Sequence, residues 1–179
     1  MTCIVGYIKN KKVYIGGDSA GVAGLHITPR KDAKVFRNGK FIMGYTSSFR
    51  MGQLLRFKLS VPSQPEEISD YEYMCTLFID AVRKCLKDGA FATIKDSAER
   101  IGVFLVGYKR RLYKLEGDLQ VGVSYYNFES VGCGSDYAKG ALSLLEATNL
   151  SAETIIKKAL ETAVKFSGGV RPPFVIMKG

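Results

Sequence analysis

The chain opens Met1-Thr2-Cys3-Ile4-Val5-Gly6-Tyr7-Ile8-Lys9-Asn10-Lys11-Lys12-Val13-Tyr14-Ile15-Gly16-Gly17-Asp18-Ser19. Two runs rich in β-branched residues, Cys3 to Ile8 and Val13 to Gly17, flank the turn-like Lys9 to Lys12 and predict a hairpin. Positive charge follows the apolar run instead of preceding it, so no signal peptide is expected. Thr2 is small enough that removal of Met1 is expected, which would leave a hydroxyl and a free amine on adjacent carbons. An N-terminal amine is a known base for activating a weak hydroxyl nucleophile. Its ordinary pKa, roughly 7.7–8.0, lies where general bases work best.

Working outward, Ser19 to Thr28 is a looser glycine-rich segment. Lys34 to Arg37 and Lys40 to Tyr45 form a second predicted hairpin around Asn38-Gly39, a strong two-residue turn signal. Helical spacing then runs from Phe49 to Leu59 and stops before Pro62 and Pro65. Ser69 with Glu72 makes a capping box for a helix ending near Gly89. Strands return at Ile101 to Tyr108, Leu112 to Glu116 and Gln120 to Ser130. Two helices follow, Asp136 to Ala147 and one capped by Ser151 that runs to Phe166, before a last strand at Phe174 to Met177. Segregated blocks of strands and helices argue an α+β fold, two antiparallel sheets face to face with helices outside. No linker or repeat divides the chain, so its 179 residues are expected to form one domain.

The composition is that of a globular protein with a net charge of +9. Nucleic acid is the obvious partner to weigh against such a charge. The basic residues are scattered, however, at Lys9 to Lys12, Arg30 to Lys40 and Lys109 to Arg111, with no recognised nucleic-acid motif, and solvated hairpin ends are the better reading. No run approaches the ~18 apolar residues that span a bilayer. The four cysteines, Cys3, Cys75, Cys85 and Cys133, lack any C-x-x-C pair, which favours reduced thiols in the cytoplasm.

Several chemistries lack their residues. His26 is the one histidine, in a glycine-rich loop without a nucleophile elbow, and receives no role. No metal-ligand spacing, phosphate-binding loop or dinucleotide fingerprint is present, so no cofactor or metal is expected.

Thr2-Cys3-Ile4-Val5-Gly6, then Gly16-Gly17-Asp18-Ser19, then Lys34-Val35, together resemble the opening of the proteasome β-subunit and HslV-type N-terminal-nucleophile hydrolases. Sixteen residues separate Thr2 from Asp18 and sixteen more separate Asp18 from Lys34, as in that family. Phe41-Ile42-Met43-Gly44 resembles its oxyanion strand, and Gly132-Cys133-Gly134-Ser135-Asp136 its turn into a helix. The resemblance implies a four-layer αββα sandwich with Thr2 as nucleophile. Lys34, or Lys31 if the loop shifts register, would lower the amine's pKa. Asp18 would hold the Lys34 ammonium, and the Gly44 N–H would donate to the tetrahedral oxyanion. Singly, each residue has an ordinary explanation: a turn cap, a strand lysine, a bulge glycine.

Two positions depart from the family pattern. Cys133 stands where the family has serine, with Ser135 either substituting for it or capping the next helix. Near the end of the last long helix, Ser167 fits a family serine, but Lys165 stands where an acid is expected, with Glu161 the candidate if the alignment slips by a turn. The implied activity is a threonine peptidase acting on unfolded polypeptide within a homo-oligomeric ring, served by a separate ATP-dependent unfoldase. A catalytically impaired ring subunit and a small-molecule amidase are the alternatives.

Overall fold

The computed structural model describes residues 1–95 and 98–179. Its first hairpin pairs β1 (Cys3–Lys9) with β2 (Lys12–Gly17). A second, smaller hairpin follows, β3 (Ala20–Ala23) with β4 (His26–Pro29). The sequence reading treated this stretch as a loose segment. Gly24, at φ +57°, supplies the left-handed turn that closes it. β5 (Val35–Asn38) and β6 (Phe41–Tyr45) pair around Gly39 at φ +55°.

Helix α1 (Phe49–Phe57) is capped by Ser48, whose side chain accepts from the Arg50 N–H. α2 (Asp70–Tyr73) passes through a π-helical turn, Met74–Phe78, into α3 (Ile79–Asp88). Ser69 caps this helix by accepting from the Glu72 N–H. The short β7 (Thr93–Lys95) and β8 (Ala98–Arg100) form a hairpin that the sequence reading did not contain. β9 (Phe104–Tyr108), β10 (Arg111–Leu115), β11 (Val121–Val123) and β12 (Phe128–Gly132) come next. α4 (Ser135–Leu145), α5 (Ala152–Phe166) and β13 (Val175–Lys178) complete the chain.

Two larger antiparallel sheets result, ordered β12-β1-β2-β13 and β11-β10-β9-β6-β5. Strand alternation divides the core between them. On β1, Cys3, Val5 and Tyr7 pack with Leu142, Ile156 and Leu160 of α4 and α5, while Ile4 points the other way. Ile4 joins Val13, Ile15, Val35, Ile42, Leu105 and Leu112, drawn from both sheets. On β6, Phe41, Met43 and Tyr45 instead meet α1 and the helix from Asp70 to Asp88 through Leu54, Phe78 and Val82. Gly6 keeps the sheets close: a Cβ there would lie 2.6 Å from Leu112. No helix among the described residues is long and apolar enough to cross a membrane.

Candidate active site

Three strand ends deliver the site. Thr2 lies immediately before β1, Asp18 immediately after β2, and Lys34 immediately before β5. The β1–β2 register sets Ile4 opposite Gly17, so the next pair outward is Cys3 with Asp18, and the Asp18 N–H donates to the Cys3 carbonyl at 3.3 Å. Lys34 arrives from the opposite sheet, where its carbonyl accepts from the Tyr45 N–H at 3.1 Å. All three side chains are buried, at 1–3% exposure.

The carboxylate of Asp18 organises the cluster. Its Oδ1 accepts from the Thr2 hydroxyl at 2.6 Å, from the Cys3 N–H at 3.0 Å and from Lys34 Nζ at 2.9 Å. Its Oδ2 accepts from the Ala20 N–H at 2.9 Å and the Arg171 N–H at 3.3 Å. Lys34 Nζ also donates to Thr2 Oγ1. The lysine is therefore an ammonium bound between the hydroxyl and a counter-charge. Burial pushes its pKa below the usual lysine value, and Asp18 works in the opposite direction. A cation that gives up its proton more readily than free lysine, held against a threonine oxygen, is suited to stabilise negative charge there.

The turn from β12 into α4 grips Thr2 from the other side. Gly132 adopts φ +101°, and a side chain at that position would collide with the Thr2 carbonyl. The Gly134 N–H donates to the same carbonyl at 3.4 Å. Cys133 Sγ accepts from the Thr2 N–H at 3.3 Å and lies 3.3 Å from Ser167 Oγ. Ser167, at the C-cap of α5, is buried. Met1 is half-exposed, and its peptide bond makes the Thr2 nitrogen an amide. Removal of Met1 would place a free amine beside the Cys133 sulfur.

Other expected residues lie elsewhere. Gly44 pairs with Val35 on one side and Leu105 on the other. Because the Tyr45 N–H points to β5, alternation turns the Gly44 N–H toward β9, inside the ladder. Its missing side chain faces Ile4 and Ile15, at 2.5 and 2.8 Å from a built Cβ. Gly44 therefore serves sheet packing and does not present an amide to Thr2. The cleft beside Thr2, about 70 Å³, is lined instead by Tyr45, Thr46, Ser47, Ser48 and Phe49. Ser47 is left-handed at φ +69°, and its N–H has no acceptor among the described residues.

Ser135 bonds Asp136 at 3.3 Å and neither reaches Thr2 nor caps α4, whose N-cap is Gly134. Lys165 and Glu161 line an outer groove with Leu144 and Pro172, away from the Thr2 cleft, and Glu161 faces Lys157. Lys165 therefore stands apart from the residues that line the Thr2 cleft. Lys31 is exposed, so Lys34 is the lysine at the site, and His26 lies exposed on β4. No cluster of metal-ligating side chains occurs among the described residues.

The sequence matches no family model and no curated protein. The fold has solved counterparts. Thiobacillus denitrificans BPH in complex with epoxomicin superposes with a TM-score of 0.83 at 18% identity, covering 99% of this chain and 98% of that one. Eukaryotic HslV from Trypanosoma brucei gives 0.70 at 19% identity, covering 99% and 98%. This is the fold of the proteasome-like N-terminal-nucleophile hydrolases. Anbu, the ancestral β-subunit, from Yersinia bercovieri, shares it at a TM-score of 0.68 and 15% identity, covering 99% of this chain and 81% of that one. The proteasome-like fold thus spans essentially the whole chain, and its α+β content of antiparallel sheets and helices agrees with the sequence reading.

Proposed function

We propose that this chain is a threonine peptidase subunit of a proteasome-like assembly. The observation that carries the reading is the buried contact of Thr2 Oγ1 with both Asp18 and Lys34. With Met1 removed, the Thr2 amine takes the proton from its own hydroxyl as the oxygen attacks a peptide carbonyl. The Lys34 ammonium stabilises charge on Oγ1, and Asp18 holds that ammonium in place. The tetrahedral oxyanion is received by the Ser47 N–H, in place of Gly44; one such donor is typically worth ~3 kcal/mol of barrier. The amine then passes its proton to the departing amide nitrogen. Water next attacks the acyl ester, with the amine again acting as base, and releases the acid. Cys133 and Ser167 position the amine.

The three separate cores support a single domain layered helix–sheet–sheet–helix, a four-layer αββα sandwich. The likeness to HslV supports a homo-oligomeric ring; enclosed sites, unfolded polypeptide as substrate, a separate ATP-dependent unfoldase and a cytoplasmic location complete the proposal. The test is intact-mass analysis of the natural protein for loss of Met1, followed by incubation with epoxomicin. One adduct per chain, mapped to Thr2 and absent from Thr2→Ala, is expected. A processed chain that neither reacts nor cleaves casein would make it a structural ring subunit instead.

A further inference from the structure

The turn from β12 into α4 sets a solvent-exposed thiol against a buried nitrogen. Cys133 is exposed, Thr2 is 2% exposed, and the cysteine Sγ lies 3.3 Å from the Thr2 nitrogen. That is already contact distance for sulfur and nitrogen. The sulfur has two further polar neighbours, the Thr2 carbonyl at 3.4 Å and Ser167 Oγ at 3.3 Å. Gly169 packs against it as well: a Cβ there would lie 2.8 Å from Sγ and would also press on Met1 Cβ. Met1 therefore fills space beside this sulfur, and its removal frees both that space and the Thr2 amine. A second thiol, Cys3, lies at the same end of β1 but is fully buried near Ser130, and burial pushes its pKa up to about 12. The thiol that an oxidant reaches first is Cys133.

We propose that Cys133 and the freed Thr2 amine form a reversible, peroxide-driven sulfur–nitrogen bond that switches the site off. The switching role rests on the threonine-peptidase reading, which supplies the free amine. In the first step the Cys133 sulfur attacks hydrogen peroxide. It gains a hydroxyl to become a sulfenic acid, and the peroxide is reduced to water. Thr2 is buried and Cys133 exposed, so peroxide arrives from the solvent side and the new oxygen lies away from the amine. The Thr2 nitrogen then displaces that oxygen. An N–S bond forms, the S–O bond breaks, and the hydroxyl leaves with one amine proton as water. In the resulting sulfenamide Oγ1 keeps its contacts with Asp18 and Lys34 but loses the base that deprotonates it. Two thiols reverse the step. The first attacks the sulfur and releases the amine; the second frees Cys133, and the two reductant thiols depart as a disulfide. A serine in place of Cys133 could hold the amine but has no such chemistry.

The experiment treats the processed protein with hydrogen peroxide, denatures it in iodoacetamide without reductant, and maps it by mass spectrometry. Cys133→Ser is treated alongside. The expected product has lost two hydrogens and joins the N-terminal peptide to the one containing Cys133. Cys3 within it should be alkylated, which a Cys3–Cys133 disulfide, also short of two hydrogens, would not allow. Casein cleavage should fall at least ~10²-fold, and dithiothreitol should restore it as the cross-link disappears. Cys133→Ser should form no cross-link. An unmodified Cys133, a Cys3–Cys133 disulfide, or oxidation that stops at the sulfenic, sulfinic or sulfonic acid overturns the proposal. A processed chain that forms the cross-link yet, before peroxide, neither cleaves casein nor labels with epoxomicin overturns the peptidase reading and leaves the bond standing. Retention of Met1 overturns both.

Discussion

Lys34 Nζ lies 2.9 Å from Asp18 Oδ1, and the two side chains are 3% and 0% exposed. An ion pair so completely withdrawn from water costs more in desolvation than a surface pair and is weak evidence of stabilisation. Here its value is positional, because the Thr2 hydroxyl is hydrogen-bonded to both charges.

Breaking that pair should be costly. Asp18→Asn leaves the Lys34 ammonium buried without its counter-charge and weakens the acceptor for three backbone N–H groups. A loss of about 3–5 kcal/mol is expected, read as a lower urea midpoint at unchanged slope. Hydrolysis should fall at least ~10²-fold even under conditions where the variant stays folded.

Activity should follow a bell in pH. The rising limb reports deprotonation of the Thr2 amine, whose ordinary value of roughly 7.7–8.0 is lowered by the Lys34 charge. The falling limb reports Lys34, whose burial brings its pKa below 10.5, so activity should decline before that pH is reached. Stability has its own sign. Between the depressed folded value of Lys34 and 10.5 the unfolded chain binds more protons, so this group's contribution to stability rises with pH across that window. Lys34→Met should abolish the falling limb in any residual activity.

Ser47 and Gly44 should respond in opposite ways to a change at the α-carbon. Ser47→Gly keeps the amide and relieves a left-handed serine at φ +69°, so activity should persist and stability should hold or rise by about 0.5–1 kcal/mol. Gly44→Ala should destabilise by about 1–3 kcal/mol through overpacking against Ile4 and Ile15. Thermal unfolding and kcat measured on both variants check these outcomes.

Gly132→Ala should disturb Thr2 without touching any titratable group. The new methyl group would collide with the Thr2 carbonyl in a backbone already at φ +101°. A stability loss of about 1–3 kcal/mol is expected, with slower epoxomicin labelling of the folded fraction.

Cysteine reagents should discriminate between two thiols at the same end of the site. Cys133 is exposed, whereas Cys3 is fully buried and its pKa is pushed up to about 12 by burial. Iodoacetamide should therefore modify Cys133 in preference to Cys3 and block labelling of Thr2. Cys133→Ser should keep the contact with the Thr2 nitrogen, resist the reagent and retain activity. Peptide mapping by mass spectrometry checks the order of modification.

Much of this molecule was readable from residue order. The unbroken apolar runs Cys3 to Ile8 and Phe41 to Tyr45 mark strands, which the fold buries on both faces, and Asn38-Gly39 closes its hairpin through local backbone preference alone. Ser69 and Ser151 mark helix starts because a cap is a local hydrogen bond. The spacings of Thr2, Asp18 and Lys34 were legible because each residue flanks a strand whose end the sequence already marks. What the sequence could not determine was which way a backbone amide points. Gly44 looked suited to an oxyanion, yet ladder alternation turns its N–H into the sheet, and the free amide is that of Ser47, whose left-handed turn has no glycine to announce it. The positions of Lys165 and Ser135 depend likewise on helix rotation against the sheet. Local pattern decides which residues form an element; only packing between distant elements decides what each side chain and amide finally faces.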